Sequence, residues 1–486
     1  MQSLNPLFEL SVQDRGIGGA AYRTILVFQI FIVVSLLALG TFAALASVDA
    51  DFVLPPSSLC FVLLAYWTLY SWYKLHGTLF DPYPLFLISS WLFNGAQILL
   101  EVMQANRKGI LGGRFSTETV LQTTYLVALA ICAMHLSALL TSSGSTKASI
   151  TMERPHSAWH TRSIGWALFA ASIGPAIWTF REAGQMVIAG GYFSLYQRTF
   201  ETGFASAPRL MANFLIPSAL FLLAGSKGRR VAVILSAAII LLYAAGMFFI
   251  GSRAAASSAL IAYLWLFSKV IWRIPPKLLL APAFVVFFIV CPFIGAIRDT
   301  SGADRTSFEF MRNAWSAIDN PAVSALSEIG QSMSTVAHTL DLTPAVRPFD
   351  AGESYMYALL AALPNLGWEV HPAMAHGTLS TWLVRTVEPA TAARGGGLGY
   401  SFIAESYINF GWAGVPIVML AIGWGAGRLS STLRRERDPA VIAMAATLLS
   451  FALIYARAET ADFVRNICWY ALVPFLIVRI ASRVRT

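Results

Sequence analysis

Apolar residues run through this chain in blocks of about twenty, the length a helix needs to cross the roughly 30 Å hydrocarbon core of a bilayer. Twelve blocks predict twelve spanning helices, at 24–46, 52–73, 82–102, 119–141, 163–180, 207–226, 231–250, 254–272, 277–297, 401–427, 439–457 and 465–482. A segment of mixed charge (Glu9, Asp14, Arg15, Arg23) precedes the first block, and no small-residue cleavage site follows it. The block is therefore expected to stay as a span and not to be removed as a signal peptide.

The polar intervals between blocks are unequal. Most are short. Residues 181–206 form a longer one, and 298–400 a much longer one, with ten acids and six arginines. Stretches such as FEFMRNAWSAI and SYMYALLAALP in that interval alternate polar and apolar positions and are punctuated by Pro and Gly. They predict short amphipathic helices in a small extramembranous subdomain. The expected organisation is 1–297 with nine spans, 298–400 as the loop subdomain, and 401–486 with three spans. No internal repeat is evident, unlike transporters built from two similar halves.

Composition agrees with the pattern. The 486 residues are 57% hydrophobic and 12% charged, with mean hydropathy +0.63; a soluble domain carries about 25% charge. Disorder, a fibrous protein and an ordinary cytosolic enzyme are excluded. Cys60, Cys132, Cys291 and Cys468 each lie in an apolar run, which predicts neither a disulfide scaffold nor a metal set.

The net charge of +9 gains meaning from where the basic residues fall. With a cytoplasmic N-terminus, 19 of the 34 sit in short cytoplasmic segments beside helix ends, Lys227, Arg229, Arg230, Arg434, Arg435 and Arg437 among them. Such an excess predicts both termini inside. Arg107, Lys108 and Arg114 run against it. Anionic headgroups suffice as partners for these clusters, and no nucleic acid is implied.

Charges at the rims of spans are costly and normally face a cavity or a partner. Four groups gather at the outer rim. Arg253 lies among small residues in GSRAAASS, either as a snorkelling residue in a tight turn or with room beside it for a bulky ligand. Arg298 ends the ninth span next to Asp299. Arg457 and Arg465 flank the last outer turn, with Glu459 and Asp462 between them; a self-neutralised turn is the plain alternative. Glu405 opens the tenth span beside Tyr407 and Asn409. A carboxylate at that depth is protonated, paired, or lines a wet cavity, unless it simply favours the helix N-terminal dipole. Arginines beside lipid suit an anionic phosphate headgroup, because the guanidinium presents a fixed fork of donors and stays charged. A diphosphate on a lipid is also a leaving group, whose developing charge such a site would stabilise. No HExxH, GxSxG, P-loop or Cys/His metal spacing is present.

The segments GSRAAASSALIAY, GESYMYALLAALPNLGW, GYSFIAESYINFGWAGV and RAETADFVRNICWYALVP, with the large loop before the last three spans, resemble a Wzy-type O-antigen polymerase. LPNLGWEVHPAMAHG departs from the family by lacking basic residues after its Pro–Trp element. The resemblance implies an all-α polytopic fold similar to the polyprenyl-lipid-dependent helical (GT-C-like) glycosyltransferases. It implies a multi-pass protein of the bacterial inner membrane that polymerises undecaprenyl-diphosphate-linked repeat units at the periplasmic face. Undecaprenyl diphosphate would leave, with no cofactor and no metal. Arg253, Arg298, Arg457 and Arg465 are the candidates for the diphosphate. Glu405 is the first candidate for general base or acceptor positioning, followed by His338 and His376. Tyr355, Tyr357, Trp368 and Trp382 either stack on sugars, form an interfacial belt or, more in keeping with short helices, pack the loop. A chain-length regulator and a flippase are the protein partners implied. Alternatives are an O-antigen ligase, a flippase for the lipid-linked unit, and a scaffold without chemistry.

Overall fold

A computed structural model describes residues 19–45, 49–106, 108–142, 156–197, 206–297, 307–363 and 368–484. Each of the twelve predicted blocks is helical: α1 (Gly19–Leu45), α2 (Ala50–His76), α3 (Pro82–Val102), α4 (Thr117–Ser142), α5 (Ser157–Gly190), α6 (Ala207–Ala224), α7 (Arg230–Ile250), α8 (Arg253–Val270) and α9 (Pro276–Ile297) precede the large loop. The loop folds into short helices, α10 (Phe308–Ser316), α11 (Pro321–Ile329), α12 (Ser332–Leu342), α13 (Glu353–Leu360), α14 (Pro372–His376), α15 (Leu379–Val387) and α16 (Pro389–Ala393). Then come α17 (Phe402–Arg435), α18 (Pro439–Tyr455) and α19 (Thr460–Arg483).

Ten of these helices are long and apolar enough to cross a membrane. The two that fall outside that number are α8 and α18. The latter is short, at 17 residues, and mostly buried, with one partly exposed stripe at Val441, Met444, Leu448 and Phe451.

The centre of the bundle is α4 against α17. Gly423 and Gly427 of α17 lie so close to Met134 and Ala138 that a Cβ at either position would overlap the α4 backbone. In lipid this close approach matters, because packing and not water exclusion drives helix association. Mid-span His135 of α4 is buried against α2 and α3, bonded to Ser71 Oγ at 2.8 Å and Tyr83 OH at 2.9 Å.

Polar contacts sort the helix ends into two groups, as alternate crossing requires. At one end Tyr22 reaches Leu139, His76 meets Ser142, Arg162 reaches Gly225, Lys269 reaches Leu433, and Asp438 takes Ser157 and Arg479. The first turn of α1 and the last of α19 share this end. At the other end Gln97 meets Ser327, Thr119 meets Asp341, Ser401 meets Asn94, and Arg114 meets Glu388. The loop helices cover that second end, referred to below as the loop end.

Candidate functional site

The site begins with a break in α17. Gly411 adopts φ +64° and ψ −162°, which interrupts the helix. A break frees carbonyls that would otherwise accept from residues one turn ahead. The loop claims two of them: Asp350 N donates to Ile408 O at 2.8 Å and Ala351 N to Asn409 O at 3.0 Å. Asn409 Oδ1 accepts from Gly352 N at 2.9 Å, and its Nδ2 donates to Ser354 Oγ at 2.8 Å. The start of α13 is thereby fastened to the first turns of α17.

Glu405 occupies the middle of this junction and is 1% exposed. Its Oε1 accepts from Ser354 Oγ at 3.0 Å; its Oε2 accepts from both the backbone N and the Oγ1 of Thr460 at 2.7 Å. Three pieces of chain far apart in sequence (α13, α17 and α19) therefore meet on one carboxylate. A buried carboxylate held by neutral donors on both oxygens is a strong joint. Substrate would reach it only by displacing one of them.

The turn between α18 and α19 is held from above by a second buried carboxylate. Glu459, 5% exposed, accepts from Leu379 N at 3.0 Å and Ser380 N at 3.5 Å, the open N–H groups at the start of α15. Burial pushes this carboxyl up to about 8, with Asp462 and Glu405 acting in the same direction and the two N–H donors opposing. The turn is thus not simply self-neutralised. Its buried acid is spent on a loop helix, while Asp462 interacts electrostatically with Arg465.

The predicted residues are distributed as follows. The Arg457 guanidinium lies 5.4 Å from the Phe93 ring centre, beside Asn94, whose Nδ2 donates to Ala456 O at 3.0 Å. Arg465 is exposed and interacts electrostatically with Asp462, three residues earlier. Arg253 is partly buried in a two-bond pair with Glu328: Nη1 donates to Oε2 at 2.6 Å and Nη2 contacts Oε1. The space its small neighbours suggested is thus occupied by a carboxylate. Ser327, next to Glu328, accepts from Gln97, one turn along α3 from Phe93. Arg253 and Arg457 accordingly flank the same end of α3. Arg298 lies outside the described residues.

Of the histidines, only His376 joins this cluster. It stacks on Tyr357 of α13 with ring centres 4.1 Å apart, and its Nε2 is 3.7 Å from Glu353. His338 is elsewhere, edge-on to Phe115, with Asp341, Glu388 and Arg114 as its charged neighbours; burial lowers its imidazole. The four aromatics pack against protein: Tyr355 on Phe410, Tyr357 on His376, Trp368 on His371, and Trp382 beneath Arg347. Sequence reasoning missed Ser354 and Thr460, neutral hydroxyls that carry no charge signal. It also missed Glu328 and Glu353, which lay unremarked among the ten acids of the loop.

Compared with known proteins, residues 25–486 match the family model described as O-antigen polysaccharide polymerase Wzy, nearly the whole chain. No curated protein and no solved structure matches.

Proposed function

We propose a reaction for this chain on one premise: it belongs to the O-antigen polysaccharide polymerase Wzy family. Family membership makes it a polymerase of O-antigen repeat units, acting on lipid-linked oligosaccharide in a membrane. The finer reading is that polymerisation takes place at the loop end of the bundle, on the periplasmic face of the bacterial inner membrane. The donor is a growing glycan on undecaprenyl diphosphate, and the acceptor is one lipid-linked repeat unit.

In this reading an acceptor hydroxyl forms a bond to the anomeric carbon of the donor as the bond from that carbon to the diphosphate breaks. The electron pair leaves with undecaprenyl diphosphate. Arg457 and Arg465, on either side of Thr460, meet the charge that develops there; Arg253, and Arg298 by its place in the sequence, complete the set. Arginine fits this task by its bidentate geometry and fixed charge. His376, oriented by Tyr357 and faced by Glu353, takes the hydroxyl proton. Glu405 acts as a positioning residue, setting α13 with its His376 partner against α19 with its arginines.

The observation that supports this most is the joint itself: Glu405 links α13, on whose Tyr357 the His376 ring stacks, to Thr460, within five residues of both Arg457 and Arg465. The test is purified full-length protein given defined lipid-linked repeat units. A ladder of products is expected. A single transfer to a different lipid acceptor would indicate a ligase, and unchanged substrate would leave transport or scaffolding.

A further inference from the structure

The loop helix α13 is tied at two heights. Its start is held at the level of Thr460, because Ser354 and Thr460 bond the same carboxylate, Glu405. Its end is held further along α19, where Trp469 Nε1 donates to Ala362 O at 3.0 Å. Between these ties α13 packs on the first turns of α19. Ser354 to Ala362 and Thr460 to Trp469 are similar lengths of chain, ~12 and ~13 Å at a helical rise. The loop helix therefore runs beside α19 and in the same direction, inward from the loop end.

The depth of that end follows from the span. About 20 residues cross the hydrocarbon core, and counting them back from Arg483, where α19 ends, reaches Phe463. Trp469 thus sits roughly 9 Å inside the core. It heads the exposed apolar stripe of α19, followed at helical spacing by Leu472, Leu476 and Ile480. A helix end at such a depth has no water to meet its carbonyls. Four carbonyls at the end of α13 are taken: Tyr357 O by Ala361 N, Leu359 O by Ala362 N, Leu360 O by Leu363 N, and Ala362 O by the indole. The exposed face of α13 changes polarity in the same direction. It opens on Glu353 and continues with Met356, Leu359 (67% exposed) and Leu363 in the turn that follows. A carboxylate at headgroup level followed by apolar side chains of increasing depth suits a helix dipping into a leaflet.

We propose that α13 is inserted in the leaflet at the loop end, with Met356, Leu359 and Leu363 covered by lipid acyl chains. The lipid-facing stripe of α19 continues onto α13 through the Trp469–Ala362 bond, and this continuity selects lipid over a second protein as the cover. The insertion goes beyond the function proposed above and needs only that α19 spans. Its use rests on that function: Tyr357, with His376 stacked on it, comes to the depth of the headgroups, where a lipid-linked diphosphate lies.

The test is photocrosslinking of the full chain in phosphatidylcholine vesicles, read by mass spectrometry. A p-benzoylphenylalanine replaces Leu359 in one variant and Leu363 in another. The references are the same probe at Leu476, on the lipid-facing stripe of α19, and at Thr386, exposed on α15, whose start caps the last outer turn. Leu359 and Leu363 should give lipid adducts within about twofold of Leu476 and about tenfold above Thr386. Adducts no higher than at Thr386 in both variants overturn the insertion, and so does a crosslink to a second chain in place of lipid. Adducts as expected without any product ladder in the polymerisation assay would sink the proposed function and leave the insertion standing. A ladder without adducts would do the reverse.

Discussion

The two ends of the bundle hold their most buried acids in different ways. At the end shared by the first turn of α1 and the last turn of α19, cations are consumed by the protein. Arg162 donates to Gly225 O, Lys269 to Leu433 O and Arg434 to Ser142 O, each a carbonyl at a helix C-terminus. Asp438 accepts from Ser157, Ala440 and Arg479 together. At the loop end the two most buried carboxylates take neutral donors instead: Glu405 from Ser354 and Thr460, Glu459 from the N–H groups of Leu379 and Ser380. One end spends its arginines on stability. The other fixes its two most buried acids with hydroxyl and backbone donors, while Arg347 pairs with Asp350, Arg209 with Glu182 and Arg114 with Glu388.

Breaking the contrast at its strongest point gives the largest effect. Arg465→Ala and Arg457→Ala should each lower polymer formation on the order of 100-fold or more in the ladder assay, with normal membrane insertion. Lys at either position should restore only part, because it lacks the fork.

Next comes the joint. Glu405→Gln and Thr460→Val should each reduce turnover about tenfold, and the double variant should be little worse than either single, since both remove one interaction. Additive losses would mean that Glu405 contacts substrate directly.

A comparable drop in kcat is expected from His376→Ala, with KM for the lipid-linked unit little changed, whereas His338→Ala should leave both within about twofold. Equal losses at the two positions would remove His376 from the reaction.

The smallest effect is one of pH. Glu459 in the fold holds its proton up to about pH 8, well above an ordinary glutamate. An acid whose folded pKa is raised contributes stability that is complete at low pH and is lost as pH rises through the folded value. The contact of α15 with the last outer turn should therefore loosen between about pH 5 and 8. Amide exchange at Leu379 and Ser380 is the measurement. Glu459→Gln should flatten its pH dependence, and a profile the same in both proteins would count against the buried acid.

The fold was largely legible because apolar length is a strong signal, and all twelve blocks are helical. The break at Gly411 was not, because GWAGV reads as an ordinary span segment and only the approach of residues 350–352 shows that its carbonyls are claimed. At the site, Glu405 stood out as a lone acid in an apolar run, but Ser354 and Thr460, 51 and 55 residues away, carry no pattern that announces them. Glu459 looked neutralised by the arginines beside it; its partners are backbone N–H groups, which sequence does not distinguish from any others. Arg253 was open to two readings, a snorkelling residue in a tight turn or one with room beside it, and it proves to pair with Glu328, 75 residues later, with Gly295 making the fit possible. His338 and His376 looked equivalent by type, and only packing separates them.

The proposal to test is that Arg457 and Arg465 bind a lipid diphosphate while Arg479, paired with Asp438 at the opposite end, does not. Its most direct test is the affinity of the full chain for undecaprenyl diphosphate in Arg457→Ala, Arg465→Ala and Arg479→Ala. The account predicts losses of about tenfold or more in the first two, as expected for a charge-assisted bidentate contact, and wild-type binding in folded Arg479→Ala. Equal affinity in all three, or a loss confined to Arg479→Ala, would contradict it.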